Sequence, residues 1–149
     1  MTRRRGEEAR DIGAISGDVL DLSLRLHREL GPGLLESVYE RVLAARLAAL
    51  GYLVSRQHPV DICFEGQVFP AAFRIDLLVD NRLVVEVKSV EKLVPVHGKQ
   101  LLTYLRLIEQ PVGLLINFGG ETLKEGVRRI VNRYRPSASP RLRVNQNTE

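Results

Sequence analysis

A chain of 149 residues with 44% hydrophobic side chains is long enough to bury one core and too short to divide comfortably into two, so we expect a single domain. Its one cysteine, Cys63, excludes an intramolecular disulfide, and no Cys/His cluster has the spacing of a structural zinc site. No apolar run is long enough to cross a bilayer, so we expect a cytoplasmic protein without a membrane partner.

The formal net charge of +4 is concentrated at the two ends of the sequence. Residues 1–5 carry three arginines, and residues 133–149 carry four arginines against one glutamate, so the ends hold +6 and the body from Gly6 to Asn132 holds −2. Basic ends attract phosphates without regard to base sequence, or simply keep a protein soluble. The predicted division of the chain is a flexible basic segment at 1–7, one domain at 8–134 and a disordered basic tail at 135–149.

Two helices are predicted before any strand. Apolar residues recur at helical spacing from Glu8 to Leu30, and Gly31-Pro32-Gly33 then ends the first helix. A second apolar stripe runs from Leu35 to Leu50, where Gly51 suits the left-handed position after a helix.

The period then changes to that of β-structure. The β-type segments, which predict an antiparallel meander, are Tyr52–Arg56, Val60–Phe64, Gln67–Phe69, Ala72–Val79 and Leu83–Val87. The elements predicted after them are a helix over Val96–Glu109, an apolar strand covered on both faces over Val112–Asn117, and a last helix from Glu121 to about Arg133. This order predicts an α/β fold with a mixed sheet flanked by helices.

Two acids stand inside segments that are otherwise apolar, Asp76 before Leu77-Leu78-Val79 and Glu86 within Leu83–Val87. A carboxylate in an apolar sheet costs several kcal/mol unless it is paired or coordinates a cation. Either a metal site or a buried ion pair of one acid with Lys88 would therefore explain them.

The turn between the two acids decides whether they face each other. A two-residue turn at Asp80-Asn81 would pair Asp76 with Val85 and place Glu86 on the opposite face of the sheet. A three-residue turn that includes Arg82 brings Asp76 opposite Glu86, where one cation could bridge them. We predict the three-residue turn.

Glu86 and Lys88 are two residues apart on a strand and so project to the same side. The carboxylates of Asp76 and Glu86 and the carbonyl of Val87 would hold a metal, and Lys88 would position the water that attacks phosphorus. Because all these ligands are oxygen atoms, the expected ion is Mg²⁺ or Mn²⁺.

Asp76 followed by Glu86-Val87-Lys88 resembles the D…(D/E)xK signature of the PD-(D/E)XK nuclease superfamily. The segment Gly33-Leu-Leu-Glu36-Ser-Val-Tyr39 is similar to the pattern of the GxxExxY protein family, a branch of that superfamily. The likeness runs from about Ile12 to Arg133. It further includes Val90-Glu-Lys-Leu93 to His97, Gln100-Leu-Leu-Thr-Tyr104 and Leu114-Leu-Ile-Asn-Phe118.

This resemblance implies a restriction-endonuclease-like αβββαβ core with an extra N-terminal helix, and it places Glu36 near the metal as a direct or water-mediated ligand. Glu36 and Tyr39 are three residues apart on one helical flank. Taken without the motif, Glu36 is an acid at a helix start and Tyr39 is a core aromatic residue; with the motif, Tyr39 becomes a candidate phosphate contact.

The resemblance also implies a role for the third helix. Gln100 and Tyr104 lie one turn apart and would reach the catalytic site, where Gln100 would orient Lys88 or a phosphate. His97 is a candidate phosphate contact or proton carrier, with a helix-terminal histidine of no catalytic role as the alternative. Where the family pattern has Glu-Ala before the glutamine, this chain has Gly98-Lys99, and Lys99 adds a cation that could contact phosphate.

The leading hypothesis is a Mg²⁺- or Mn²⁺-dependent nuclease acting on nucleic acid, with DNA as the expected substrate and a role in repair or defence. The alternative is a non-catalytic nucleic-acid- or protein-binding module with the same fold, which the negative body favours. A metal-free acid–base hydrolase is a third class, disfavoured because Lys88 should keep both acids ionised. Cleavage of both strands of a duplex would need two sites, and hence a homodimer.

Overall fold

The computed structural model describes residues 10–133 and the backbone of residues 142–145. The predicted basic segment at 1–7, and the parts of the predicted tail at 135–141 and 146–149, lie outside the described residues. None of the helices in the described part of the chain is long and apolar enough to span a membrane.

The two predicted N-terminal helices are present as α1 (Ile12–Leu30) and α2 (Glu36–Ala49). The side chain of Asp11 caps α1 by accepting a hydrogen bond from the backbone N–H of Gly13. At the other end of the helix, Gly31 adopts a positive φ of 73°, and its N–H donates a hydrogen bond to the carbonyl of His27. The helix therefore ends at the glycine that the sequence indicated.

The predicted meander forms three strands, because the shorter segments merge. They are β1 (Val54–Phe64), β2 (Gln67–Val79) and β3 (Leu83–Lys88), paired antiparallel in chain order. After α3 (Pro95–Leu107), β4 (Val112–Asn117) pairs parallel to β3. All six residues of β4 are buried, so the prediction of a strand covered on both faces is confirmed.

The last predicted helix is wrong. The segment that it was to occupy contains a short 3₁₀ turn, Lys124–Gly126, and the strand β5 (Val127–Val131), which pairs antiparallel with β4. The segment contains three β-branched residues, Val127, Ile130 and Val131, which favour a strand. The edge of β4 supplies backbone hydrogen-bond partners that an isolated surface helix would lack.

The prediction of disorder from 135 onwards is also wrong for residues 142–145. Leu142–Asn145 forms β6, which pairs antiparallel with Asp61–Phe64 of β1. Within the described residues the sheet thus has six strands in the order β5-β4-β3-β2-β1-β6. It is a mixed sheet, as predicted.

Two hydrophobic cores lie on opposite faces of this sheet. On one face α1 and α2 pack against Leu77, Val79, Val85 and Val87. On the other face α3 packs through Leu101 and Leu105 against Ile75, Leu78, Val84 and Leu115. Helices cover both faces at the centre of the sheet, where apolar side chains are expected. A charged residue in this region, such as Glu86, therefore needs an explanation.

Candidate active site

The turn between β2 and β3 has three residues. Val79 pairs with Leu83, which leaves Asp80, Asn81 and Arg82 between the strands, and Asp80 and Asn81 have positive φ values of 52° and 56°. Asparagine and aspartate tolerate this left-handed conformation better than most residues with a side chain. The prediction of a three-residue turn is confirmed.

The backbone pairing of β2 with β3 ends at Leu77 and Val85. Beyond that pair, carboxylate side chains accept the hydrogen bonds of the backbone N–H groups. The N–H of Val87 donates to Oδ2 of Asp76 at 2.9 Å, and the N–H of Asp76 donates to Oε1 of Glu86 at 3.3 Å. Each acid therefore accepts a hydrogen bond from the backbone of the other strand. The structure brings Asp76 and Glu86 together where the two strands separate.

Glu86 is the more buried acid, with 5% of its surface exposed. Burial, and after it the charge of Asp76, raise the pKa of Glu86 to about 9, although Lys88 acts in the opposite direction. The expectation that Lys88 keeps both acids ionised is thus wrong for Glu86 in the chain without a cation, because desolvation outweighs the lysine.

Lys88 ends β3 and is partly buried. Its charge acts on Glu86, but no ion pair joins it to Glu86 or Asp76 in the part of the chain that the structure describes. The alternative explanation of the two acids, a buried salt bridge with Lys88, is therefore not what the structure contains.

Two further polar residues, which the sequence did not single out, belong to this cluster. Glu40 on α2 is 4% exposed, and the side-chain nitrogen of Gln57 lies 3.0 and 3.1 Å from its two carboxylate oxygens. The same nitrogen lies 3.1 Å from Oδ1 of Asp76. Burial raises the pKa of Glu40, and the charge of Asp76 adds to the rise.

The strands are irregular where Gln57 meets Asp76. Arg56 pairs with Leu77 and His58 with Ile75, but the pair between them is missing from the ladder, and Gln57 has a φ of 48°. Ile75 packs on the α3 side and Leu77 on the α1/α2 side, whereas residues two apart on a regular strand share a face. A local twist of β2 at Asp76 accounts for both observations.

Glu36, the first residue of α2, is exposed, and its Oε2 accepts a hydrogen bond from the N–H of Ser89 at 3.1 Å. It therefore borders the segment that follows Lys88. Within residues 10–133 no hydrogen bond or ion pair joins Glu36 to Asp76 or Glu86, and its predicted role as a ligand stays a prediction.

Tyr39 belongs to the hydrophobic core that α1 and α2 form on the sheet. It is fully buried and stacked on Phe118 with ring centroids 4.4 Å apart. Its hydroxyl donates to the carbonyl of Gly31 at 2.6 Å and accepts from the N–H of Leu34 at 3.1 Å. Because both functions of the hydroxyl serve the α1–α2 turn, we assign Tyr39 to the core rather than to phosphate binding.

Tyr104 on α3 packs against β2, the strand that carries Asp76. Its ring stacks on Phe73 with centroids 4.2 Å apart. Burial, and after it the charges of Glu86 and Asp76, raise the pKa of Tyr104. Gln100 lies one turn earlier on the same helix and is exposed.

The start of α3 carries the remaining predicted residues. Nδ1 of His97 accepts a hydrogen bond from the N–H of Val94 at 3.1 Å, so this nitrogen serves the helix terminus. Lys99 is exposed. The structure places both on the helix that holds Tyr104, and it shows neither in contact with Asp76 or Glu86 within the described residues.

The donor set fits a hard divalent cation. Among the described residues no group of three or more His, Cys, Asp or Glu side chains has the arrangement of a metal site. Asp76 and Glu86 are two carboxylates, and Mg²⁺ is commonly held by one or two carboxylates while water and substrate phosphate complete its shell. A cation would also neutralise two carboxyl groups that otherwise crowd each other.

A mixed sheet between helices, with two acids and a lysine where its central strands separate, defines a restriction-endonuclease-like fold. The family model of the PD-(D/E)XK nuclease superfamily matches residues 13–130, and the chain belongs to that superfamily. No curated protein and no solved structure matches it. Nucleases of this superfamily generally use divalent metals.

Proposed function

We propose that this chain is a Mg²⁺- or Mn²⁺-dependent nuclease that hydrolyses phosphodiester bonds in DNA. The observation that carries the proposal is the pair Asp76 and Glu86, whose carboxylates accept hydrogen bonds from the N–H groups of Val87 and Asp76 at 2.9 and 3.3 Å where β2 and β3 separate. Lys88, two residues after Glu86 on the same strand, completes the acid, acid and lysine set of the superfamily.

Asp76 and Glu86 would hold the cation, with the carbonyl of Val87 as a further oxygen ligand and Glu36 as a direct or water-mediated one. When bound, a divalent cation lowers the pKa of water and stabilises the negative charge that grows on the phosphate. The burial of Glu86 supports this assignment, because a buried carboxylate needs either a proton or a cation.

The other residues act on the water and on the phosphate. Lys88 would orient the attacking water and stabilise charge on the phosphoryl oxygens. Tyr104 and Gln100 would fix the scissile phosphate from the side of α3, with His97 and Lys99 as contacts farther along the strand of nucleic acid. These roles are supported by the position of Tyr104 on α3, whose ring stacks on Phe73 of β2, three residues before Asp76.

The finer assignments extend the same proposal. The segment Gly33 to Tyr39 supports membership of the GxxExxY branch, and DNA repair or defence is the cellular role we infer from it. A duplex substrate would require two active sites, and so we propose a homodimer on DNA.

The test is cleavage of single- and double-stranded DNA by the purified chain with Mg²⁺, with Mn²⁺ and with a chelator. We expect Asp76→Ala to lower the rate by at least about a hundredfold, because it removes a cation ligand whose effect on the transition state is several kcal/mol. Lys88→Ala should lower it by about a hundredfold or more without abolishing Mn²⁺ binding.

Matched controls are Glu121→Ala and Lys124→Ala, because both residues are exposed and distant in sequence from the acids. Cleavage that survives Asp76→Ala and Lys88→Ala would come from a contaminant and contradict the proposal. Activity that persists in the chelator would instead indicate a metal-free acid–base hydrolase, for which a protonated Glu86 is suited.

A binding module without catalysis is the second candidate, and one observation favours it. The cleft of about 800 Å³ next to the carboxyl ends of β3 and β4 is lined by Glu91 and Glu125 as well as Lys92 and Arg128, so its charges balance. A strongly basic groove would be the usual footprint of a nucleic-acid enzyme. DNA retention without cleavage under every metal condition would support this candidate.

A further inference from the structure

Gln57 contacts two acids of the site with a single side-chain nitrogen. Its Nε2 lies 3.0 and 3.1 Å from the carboxylate oxygens of Glu40 and 3.1 Å from Oδ1 of Asp76. A primary amide carries two N–H donors, so one can serve each carboxylate. The amide thereby connects a buried acid of α2 to the acid of β2.

Asp76 is held at both of its carboxylate oxygens. Oδ1 accepts from Gln57, and Oδ2 accepts from the backbone N–H of Val87 at 2.9 Å. The terminal torsion of an aspartate is broad when nothing restrains it, and a donor on each oxygen restrains it. Without Gln57, only one oxygen would keep its donor from the described neighbours.

Glu40 holds the side-chain amide of Gln57 in place. Its side chain is 5% exposed, and Nε of Arg56 lies 3.5 Å from its Oε1. Arg56 and Gln57 are neighbours on β1, so two consecutive side chains bind the same buried carboxylate. Removal of Glu40 should therefore act on Asp76 through Gln57.

The backbone conformation of Gln57 is unfavourable for a residue with a side chain. Its φ of 48° lies in the left-handed region, and it coincides with the missing pair in the β1–β2 ladder. Strain of this kind persists where the surroundings impose it, and it is concentrated at functional sites.

We propose that Gln57 is a positioning residue, whose amide, anchored on Glu40, holds the Asp76 carboxylate in the orientation that binds a divalent cation. This role rests on the proposed function, because it presupposes that Asp76 binds a divalent cation. Gln57 contacts Asp76 and acts through it.

The hydrogen bonds can be tested in the metal-free protein, independently of any activity. In ¹⁵N-labelled chain, the two side-chain amide protons of Gln57 should respond separately, one to Asp76→Ala and the other to Glu40→Gln. The amide signal is assigned by its loss in Gln57→Met. Amide protons that respond to neither substitution would overturn the proposal.

Cation affinity provides the functional test. Mn²⁺ binding to the full chain, measured by calorimetry, should weaken by about tenfold to a hundredfold in Gln57→Met, the usual effect of losing a group that orients a metal ligand. Glu40→Gln should weaken it too, and the double variant should be no weaker than Gln57→Met alone, because both act along one path.

Kinetics separate positioning from a general loss of structure. In Gln57→Met, kcat should fall at low Mn²⁺ and recover as Mn²⁺ is raised, with an unchanged KM for DNA. The control is Gln67→Met, since Gln67 is exposed at the start of the same strand as Asp76. A merely structural role would lower kcat without recovery at high Mn²⁺, and that result would overturn the proposal.

The outcomes distinguish the two proposals. Equal Mn²⁺ affinity in wild type and Gln57→Met would overturn the role of Gln57 and leave the proposed nuclease intact. A wild-type chain that binds no Mn²⁺ would overturn the proposed function, and with it the purpose assigned to Gln57.

Discussion

Glu86 is buried beside a second carboxyl group. A negative charge that is shielded from water in this way requires a cation or a hydrogen-bond donor as its partner. Lys88 lowers the pKa of Glu86, but burial and Asp76 raise it further, so that without a cation the group holds its proton up to about pH 9. A proton and a divalent cation are thus alternative occupants of the same site.

This competition predicts how stability depends on pH. In the unfolded chain Glu86 has its ordinary pKa of 4.5, whereas in the folded metal-free chain burial and Asp76 raise its pKa to about 9. Between these values the folded state binds one proton more, so the free energy of unfolding falls as the pH rises. From pH 5.5 to 8 we expect a loss of roughly 3 kcal/mol from this group, measured by urea denaturation in a chelator.

Glu86→Gln should remove this part of the pH dependence and stabilise the metal-free protein at pH 8. The exposed Glu121→Gln should not change the slope. If the free energy of unfolding varied with pH between 5.5 and 8 in the same way in wild type and in Glu86→Gln, the raised pKa assigned to Glu86 would be contradicted.

Asp76, Glu86 and Lys88 could be predicted because charges inside apolar strands are conspicuous in a sequence. Glu40 and Gln57 could not be predicted in the same way. Glu40 follows Tyr39 on a helix where polar residues are ordinary, and Gln57 lies between two β-type segments. The gap between those segments, residues 57–59, coincides with the break in the ladder and was the available signal.

At the scale of elements, the segment after β4 shows where helical spacing misleads. Leu123, Val127 and Ile130 have the spacing of a helical stripe, and the sequence therefore predicted a helix there. The edge of β4 was free to pair, and a strand partner distant in sequence is invisible to a periodicity argument. The helices α1, α2 and α3, whose stripes are longer, were predicted correctly.

The turn that follows β4 is held tightly against the segment after Lys88. Asn117 is buried, and its Oδ1 accepts from the N–H groups of Val90 and Gly119 while its Nδ2 donates to the carbonyl of Val90. This leaves no space at Gly119, where a Cβ atom would collide with the backbone of Val90. The chain after Lys88 is therefore anchored by a backbone approach that only glycine permits.

Gly119→Ala should consequently destabilise the protein by about 2 kcal/mol or more, because a backbone clash in a packed turn forces displacement. Thermal and urea denaturation would measure the effect. Gly120→Ala is the matched control, since a Cβ atom there would lie 3.5 Å from the nearest atom, the carbonyl oxygen of Thr122. Equal stability of the two variants would show that the turn is looser than the structure indicates.

For the molecule as a whole, the sequence predicted the order of layers correctly, with a mixed sheet between helices. It did not predict the two strands that complete the sheet at its edges, β5 and β6. Strands at an edge are defined by their neighbours rather than by a pattern of their own, and β6 pairs with β1 from a distance of about eighty residues along the chain.

The distribution of charge over the whole chain leads to a prediction about substrate affinity. The net charge of +4 depends on the ends, and Arg3, Arg4 and Arg5 contribute three of the positive charges. Replacing all three by alanine should weaken duplex DNA binding at low salt and reduce the slope of log K against log salt by up to about 3, since each phosphate contact contributes about 0.9.

The rate of cleavage at saturating DNA should not change in this triple variant, because the arginines are distant in sequence from the acids. Filter binding at several salt concentrations would measure the slope. A slope equal to that of the wild type would show that these arginines serve solubility and not the substrate.

The short connection between β2 and β3 has a consequence for how such a chain can vary. Between Asp76 and Glu86 lie three residues of β2, three of the turn and three of β3. Side chains in this stretch can be exchanged while the acids remain neighbours, but the insertion or deletion of one residue would send them to opposite faces. In this hairpin the number of residues therefore matters more to the site than their identity.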